Sequence, residues 1–173
     1  GYMLMFERSL HIFLRNQLKK IWDRSVRVSE LTGKIALILG VGSIGEEIAR
    51  LLKEFGMKVY GVRNSGRPSP YVENMYTSID ECDILSEADY VISILPLTKG
   101  TYHLIGKNVF ERMKKEAIFI NVGRGKVVKE DELIEALQEG TIGGAALDVF
   151  EEEPLSERSP LWDMGNVIIT PHI

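Results

Sequence analysis

The chain predicts an α/β fold: a doubly wound parallel sheet with helices on both faces, in three αβα layers, preceded by an N-terminal amphipathic helix. Three observations predict it. Short apolar runs alternate with helix-periodic segments along most of the chain. The apolar runs are near-continuous in Val, Ile, Leu and Ala rather than alternating with polar residues, as strands buried on both faces require. Three glycines, Gly40, Gly42 and Gly45, follow the first run in a G-x-G-x-x-G frame.

Residues 4–22 place Leu10, Phe13, Leu14, Leu18 and Ile21 at helical spacing with Arg15, Lys19 and Lys20 among them, which predicts one amphipathic helix. With the linker after it, 1–28 reads as a leading segment and 29–173 as the globular domain. A strand is predicted over 34–39, a helix over 44–55 and a strand over 58–62. Residues 63–71, rich in Ser, Gly and Pro, read as a surface loop. A helix over 79–85, a strand over 90–95, a helix over 107–113 and a strand over 117–122 follow. The last helix, over 130–138, is closed by Gly140 as its C-cap, and strands over 145–149 and 167–170 complete the set. Such alternation calls for right-handed crossovers and a parallel sheet.

At 173 residues and 45% hydrophobic content, the chain has the size and composition of one domain with one core. A formal net charge of -4 and the lack of a continuous cationic stripe speak against nucleic acid as a partner. The longest apolar runs fall far short of the roughly 20 residues of a membrane span, and no signal-peptide pattern opens the sequence. Cys82 is the only cysteine, so no internal disulfide is possible, and a cytoplasmic location is expected. Cys82 is expected to be a half-buried helix residue rather than a nucleophile. His11 and His103 match no motif and are expected at the surface. No metal site is predicted.

The glycine frame sits where a strand turns into a helix, the context in which it signals a dinucleotide site of the Rossmann type. Gly40 allows the tight turn, Gly42 lets backbone amides approach a pyrophosphate, and Gly45 allows close helix–strand packing. Ser43 and Ile44 open the helix, whose free N–H groups and dipole favour the anion. An NAD-selective site carries Asp or Glu at the end of the second strand, and Arg63 stands there instead. Arg63, Asn64, Ser65 and Arg67 offer guanidinium, amide and hydroxyl groups suited to a 2′-phosphate, so NADP(H) is the expected cofactor, with NAD(H) the other candidate. A charge pair at about 4 Å is worth roughly 1 to 4 kcal/mol between water and a near-surface dielectric. One such contact would shift selectivity by tens to hundreds of fold.

Four further segments, in order, are Leu95-Pro96-Leu97-Thr98, Ile120 to Gly125, Leu147 to Pro154, and Thr170-Pro171-His172. With the glycine loop they resemble the D-isomer-specific 2-hydroxyacid dehydrogenases over nearly the whole chain. The resemblance implies hydride transfer between a nicotinamide and a 2-oxo acid. It makes Arg124 the substrate-binding arginine, His172 the acid/base histidine and Glu153 its partner. It places Asp148 near the nicotinamide carboxamide, and Leu95, Pro96, Thr98, Val122 and Gly123 along the cofactor groove. The chemistry is coherent: a 2-oxo acid needs a cation for its carboxylate, a proton donor for the developing alkoxide, and a carboxylate to tune that donor.

The resemblance further implies a homodimer formed through the leading helix, and a second, substrate-binding domain absent from this chain. The chain is therefore read as an isolated cofactor domain expected to bind NADP(H) and to turn over little or no substrate alone. A corepressor-like sensing protein shares the fold and is the alternative from another class. A phosphonate dehydrogenase-like enzyme is another, whereas formate dehydrogenases lack a glutamate at the position of Glu153.

Overall fold

The computed structural model describes residues 1–173. Seven strands form one all-parallel sheet in the order β3-β2-β1-β4-β5-β6-β7: β1 Ile35–Leu39, β2 Lys58–Val62, β3 Met75–Tyr76, β4 Tyr90–Ser93, β5 Ile118–Asn121, β6 Gly144–Leu147 and β7 Val167–Ile169. The order reverses between β1 and β4, where Leu37 pairs with Val91 and Leu39 with Ser93. Five α-helices accompany the sheet: α1 Tyr2–Glu7, α2 Leu10–Leu18, α3 Ser43–Glu54, α4 Lys107–Phe110 and α5 Glu130–Glu139.

Period-two geometry sends alternate side chains of each strand to opposite faces. Ala36 and Ile38 of β1 join Tyr90 and Ile92 of β4 in a core closed by Met3 of α1 and by Ala49 and Leu52 of α3. Leu37, Leu39 and Val91 face the other way, into a larger core closed by Val109 and Phe110 of α4 and by Leu133 and Leu137 of α5. Both faces are thus covered, and the three-layer arrangement stands as expected. In the larger core Phe110 meets Phe119 edge to face, with ring centroids 5.5 Å apart, a geometry aromatic quadrupoles favour.

Several expectations are corrected. The helix over 4–22 is two helices, broken at Ser9, whose backbone is left-handed at φ 49°. The break has a tertiary cause: Ser9 Oγ donates to Arg27 O at 2.7 Å. Residues 79–85 form only a 3-10 turn at Asp83–Ser86. Side-chain turns here compete with the helix: Asp80 N donates to Ser78 Oγ, and Thr77 Oγ1 to Glu81. The two-residue β3 was not predicted; it is too short for any period and pairs only at the sheet edge, Gly61 with Met75 and Val62 with Tyr76. Cys82 is fully rather than half buried, caps that 3-10 turn, and has its thiol pushed up to about 12 by burial, which leaves it inert.

Helix α1 crosses one face of the sheet and is pinned at both ends. Tyr2 OH and Thr170 Oγ1 are 2.5 Å apart at the carboxyl edge of the sheet. At the opposite edge the buried Glu7 carboxylate takes Lys34 Nζ at 2.6 Å and also accepts from the hydroxyls of Ser29 and Tyr90. Burial, and then Glu7, keep the Tyr90 phenol protonated. Removing Glu7 leaves a buried hydroxyl without its main acceptor, at a cost of about 1–3 kcal/mol. Glu7→Ala is therefore expected to lower the unfolding free energy by about 2 kcal/mol in denaturant titration, and an unchanged midpoint would contradict the pin.

Candidate cofactor groove and acid–base site

Because every strand runs the same way, the loops leaving β1, β2, β4, β5, β6 and β7 emerge along one edge of the sheet, where open α/β sheets bind ligands. These loops, with the first turn of α3, hold all the candidate site residues read from the sequence. Backbone packs directly on backbone between them. A Cβ on Gly40, which sits at φ 102°, would stand 2.9 Å from the Ile94 carbonyl oxygen. One on Gly123 would stand 2.9 Å from Leu95 O, and one on Gly125 would overlap the Phe150 carbonyl. Glycines therefore let the exits of β1, β4, β5 and β6 lie side by side.

The first exit opens α3 at Gly42, its N-cap. The first-turn amides of a helix have no intrahelical acceptor, so Ser43, Ile44 and Gly45 present free donors. Open space surrounds the place where a Cβ on Gly42 would lie, whereas one on Gly45 would meet Gly40 O at 2.7 Å. Gly42 thus has room for a ligand, and Gly45 is needed for packing. Ile44, in the first turn of α3, and Leu97, on the β4 exit, are both exposed apolar side chains. Pro96 and Thr98 lie in an exposed turn held by Thr101, which donates to Pro96 O at 2.6 Å and receives Thr98 N at 2.8 Å.

At the end of β2, Arg63 is more confined than its neighbours. Its guanidinium donates to Val41 O, to Arg67 O at 3.2 Å, and lies 3.9 Å from Glu46 Oε2 of α3. It therefore ties the second exit to the glycine loop, while Asn64, Ser65 and Arg67 are exposed. The part played by Val41 and Glu46 had no sequence signal, since Val41 fills a variable position of the glycine frame and Glu46 lies just beyond it.

The two residues expected to form the acid–base pair come together. His172 Nδ1 and Glu153 Oε2 are 2.7 Å apart, and Glu153 Oε1 accepts from Phe150 N at 3.0 Å. These two bonds, the first to His172 and the second to the backbone, hold the Glu153 carboxyl below the usual glutamate range. His172 is half-exposed, with a left-handed backbone at φ 58°. Arg124 is exposed on the β5 exit. Below it the buried Asn121 accepts from Gly123 N at 3.2 Å and donates to Arg124 O at 3.3 Å, closing the turn that presents the guanidinium. Asp148 is buried, with Oδ1 accepting from Thr170 Oγ1 and from Ile173 N. It links the β6 and β7 exits, the latter carrying His172.

The remaining histidines depart from the surface placement expected of them. His11 is half-buried against Phe6, and burial lowers its pKa. His103 is half-buried as well, with Nε2 3.0 Å from Glu151 Oε1.

A parallel sheet with a glycine-opened helix at its switch point and a histidine–carboxylate pair along the same edge defines a nicotinamide-dinucleotide-binding domain of an oxidoreductase. Comparison with known proteins makes this specific. The family model for the D-isomer specific 2-hydroxyacid dehydrogenase NAD binding domain matches residues 1–173, and the chain belongs to that family. It is 50% identical over 159 residues to a glyoxylate/hydroxypyruvate reductase B from Enterobacter sp. (strain 638), covering 88% of this chain and 48% of that one. Phosphoglycerate dehydrogenase from Lactobacillus plantarum superposes with a TM-score of 0.93 at 37% identity, over 99% of this chain and 56% of that one. An NADPH-dependent glyoxylate/hydroxypyruvate reductase from Sinorhizobium meliloti, in complex with NADP and sulfate, superposes at 0.88 with 34% identity, over 99% and 55%. The chain spans about half the length of these relatives.

Since the bond to His172 is the main cause of the low Glu153 pKa, the stabilisation it gives is present above the ordinary glutamate pKa and fades as pH falls through the lowered one. His172→Gln is expected to return the Glu153 titration towards about 4.3, read from carboxyl-carbon NMR shifts. An unmoved midpoint would mean that the pair does not form in solution.

Proposed function

We propose that this chain is the cofactor-binding part of a glyoxylate/hydroxypyruvate-type reductase that prefers NADP(H) over NAD(H). The observation behind the enzyme reading is the His172–Glu153 pair at 2.7 Å on the same sheet edge as the glycine loop. When bound, the nicotinamide supplies or accepts the hydride. Gly42, Ser43, Ile44 and Gly45 offer backbone room and donors for its pyrophosphate, and Leu95, Pro96, Thr98, Val122 and Gly123 line the groove beyond. Asp148 would lie near the nicotinamide, where it can accept from the carboxamide.

The chain's own residues divide the remaining work. The Arg124 fork binds the carboxylate of the 2-oxo acid and polarises the adjacent carbonyl. His172 delivers the proton to the developing alkoxide in reduction and removes it in oxidation, and the Glu153 carboxylate stabilises the imidazolium and fixes its orientation. The leaning towards glyoxylate or hydroxypyruvate draws support from the reductases among the relatives.

The NADP preference is supported by Arg63 at the end of β2, with Arg67, Ser65 and Asn64 exposed beside it. The related Sinorhizobium meliloti reductase was crystallised with NADP. We infer a homodimer built on the leading segment, because Leu10, Leu14 and Leu18 of α2 and Ile21 and Trp22 just after it all lie exposed, Trp22 at 91%, an apolar surface of the kind that marks protein contacts. Residues 1–28 then act as a dimerisation arm for the domain over 29–173, and a cytoplasmic setting fits the single buried thiol.

Calorimetric titration tests the cofactor reading. NADPH is expected to bind on the order of tenfold or more tightly than NADH. Arg67→Ala is expected to weaken NADPH selectively, and Arg63→Asp to reverse the preference. Equal affinities in the wild-type chain would refute the phosphate site.

A further inference from the structure

Besides His172–Glu153, the same acidic loop holds a second histidine–carboxylate pair. His103 Nε2, 3.0 Å from Glu151 Oε1, is closed off from solvent and has no aligned hydrogen-bond partner. The contact is therefore a close approach of ring nitrogen and carboxylate rather than a directed hydrogen bond. The ring stacks on Tyr102, with centroids 4.0 Å apart and planes 19° apart. His103 also sits in the left-handed region at φ 50°. For a residue with a side chain that conformation is strained, and it persists where the surroundings over-determine it.

Those surroundings reach the acid–base site from two sides. His103 N donates to Lys126 O at 3.0 Å, Ile105 N to Val127 O at 3.1 Å, and Lys129 N to Ile105 O at 2.9 Å. The turn that carries Thr98 is thus laced along the segment that follows Arg124. Glu151 is locked reciprocally to the start of α5: Glu151 N donates to Glu130 Oε2 at 3.0 Å, and Glu130 N to Glu151 Oε1 at 2.8 Å. Two residues beyond Glu151, Glu153 grips Phe150 N and His172. The charged groups around this corner are Glu130, Glu152 and Lys129. Burial raises the Glu130 carboxyl, and the Glu151 and Glu152 charges add to the rise, so His103 sits at a corner rich in carboxylates.

We propose that His103, acting through Glu151, is a positioning residue that fixes the loop bearing Glu153 and so sets the geometry of the Glu153–His172 pair. This rests on the acid–base reading of that pair, which His103 itself does not touch.

The decisive variant is Glu151→Gln, which keeps the side chain's size and an acceptor for Glu130 N while removing the charge that faces His103. Loss of a neighbouring negative charge by itself lowers a carboxyl pKa. Lost charge and lost geometry therefore move Glu153 in opposite directions, and an upward shift reports geometry alone. Carboxyl-carbon NMR titration of this chain is expected to show Glu153 titrating higher in Glu151→Gln than in the wild type, nearer to about 4.3. His103→Asn tolerates a left-handed backbone and is too short to reach Glu151; it is expected to give the same direction, and the double variant to go no further than either single one. A Glu153 midpoint that stays or falls in Glu151→Gln, with amide spectra showing an intact fold, overturns the proposal and leaves His103–Glu151 as a fold contact. If His172→Gln also leaves Glu153 unmoved, the fault lies with the acid–base reading rather than with the link.

Discussion

All seven strands run in one direction, and the structure's chemistry follows from that constraint. A parallel sheet gathers its strand ends along a single edge, so the groups that leave β1, β2, β4, β5, β6 and β7 meet there. The requirement falls on the backbone, because neighbouring exits must approach closely. Gly40 against Ile94, Gly123 against Leu95 and Gly125 against Phe150 satisfy it. Any side chain at these three positions would push apart the strand exits that carry Arg124, Asp148 and the His172–Glu153 pair, which makes the glycines structural supports for that edge.

The opposite edge and the leading helix complete the same frame. Glu7, buried among Lys34, Ser29 and Tyr90, holds one end of α1, and Tyr2 at Thr170 holds the other. Thr170 also bonds Asp148, so the N-terminal helix is continuous through hydrogen bonds with the β6 and β7 exits. The segment that presents an apolar face to solvent is thereby coupled to the segment that holds His172.

Much of this was legible in the sequence, for physical reasons. Strands such as Ile35–Leu39 are apolar on both faces and read as strands because nothing polar interrupts them. The glycine loop, the Arg63 segment and the pairing of Glu153 with His172 were legible because each sits at a strand end in a recognisable order. What escaped depends on partners distant in sequence. The break at Ser9 answers to Arg27, and β3 exists only through its pairing with β2. His103 looked like a surface residue because its partner, Glu151, is the first of three glutamates and nothing local distinguishes it. Arg63 was singled out for a ligand, yet its bonds to Val41 and Arg67 give it a share in shaping the loop even without one.

The account stands or falls on where the dinucleotide sits. Amide chemical-shift mapping of this chain during addition of NADPH measures that directly. The prediction is that the largest changes fall on Gly42, Ser43, Ile44 and Gly45 and on residues 63–67, with smaller ones at Thr98 and Gly123 and none around Glu7 and Lys34 at the opposite edge. Changes centred on that opposite edge, or spread evenly over the chain, would contradict the placement of the cofactor at the carboxyl ends of the strands.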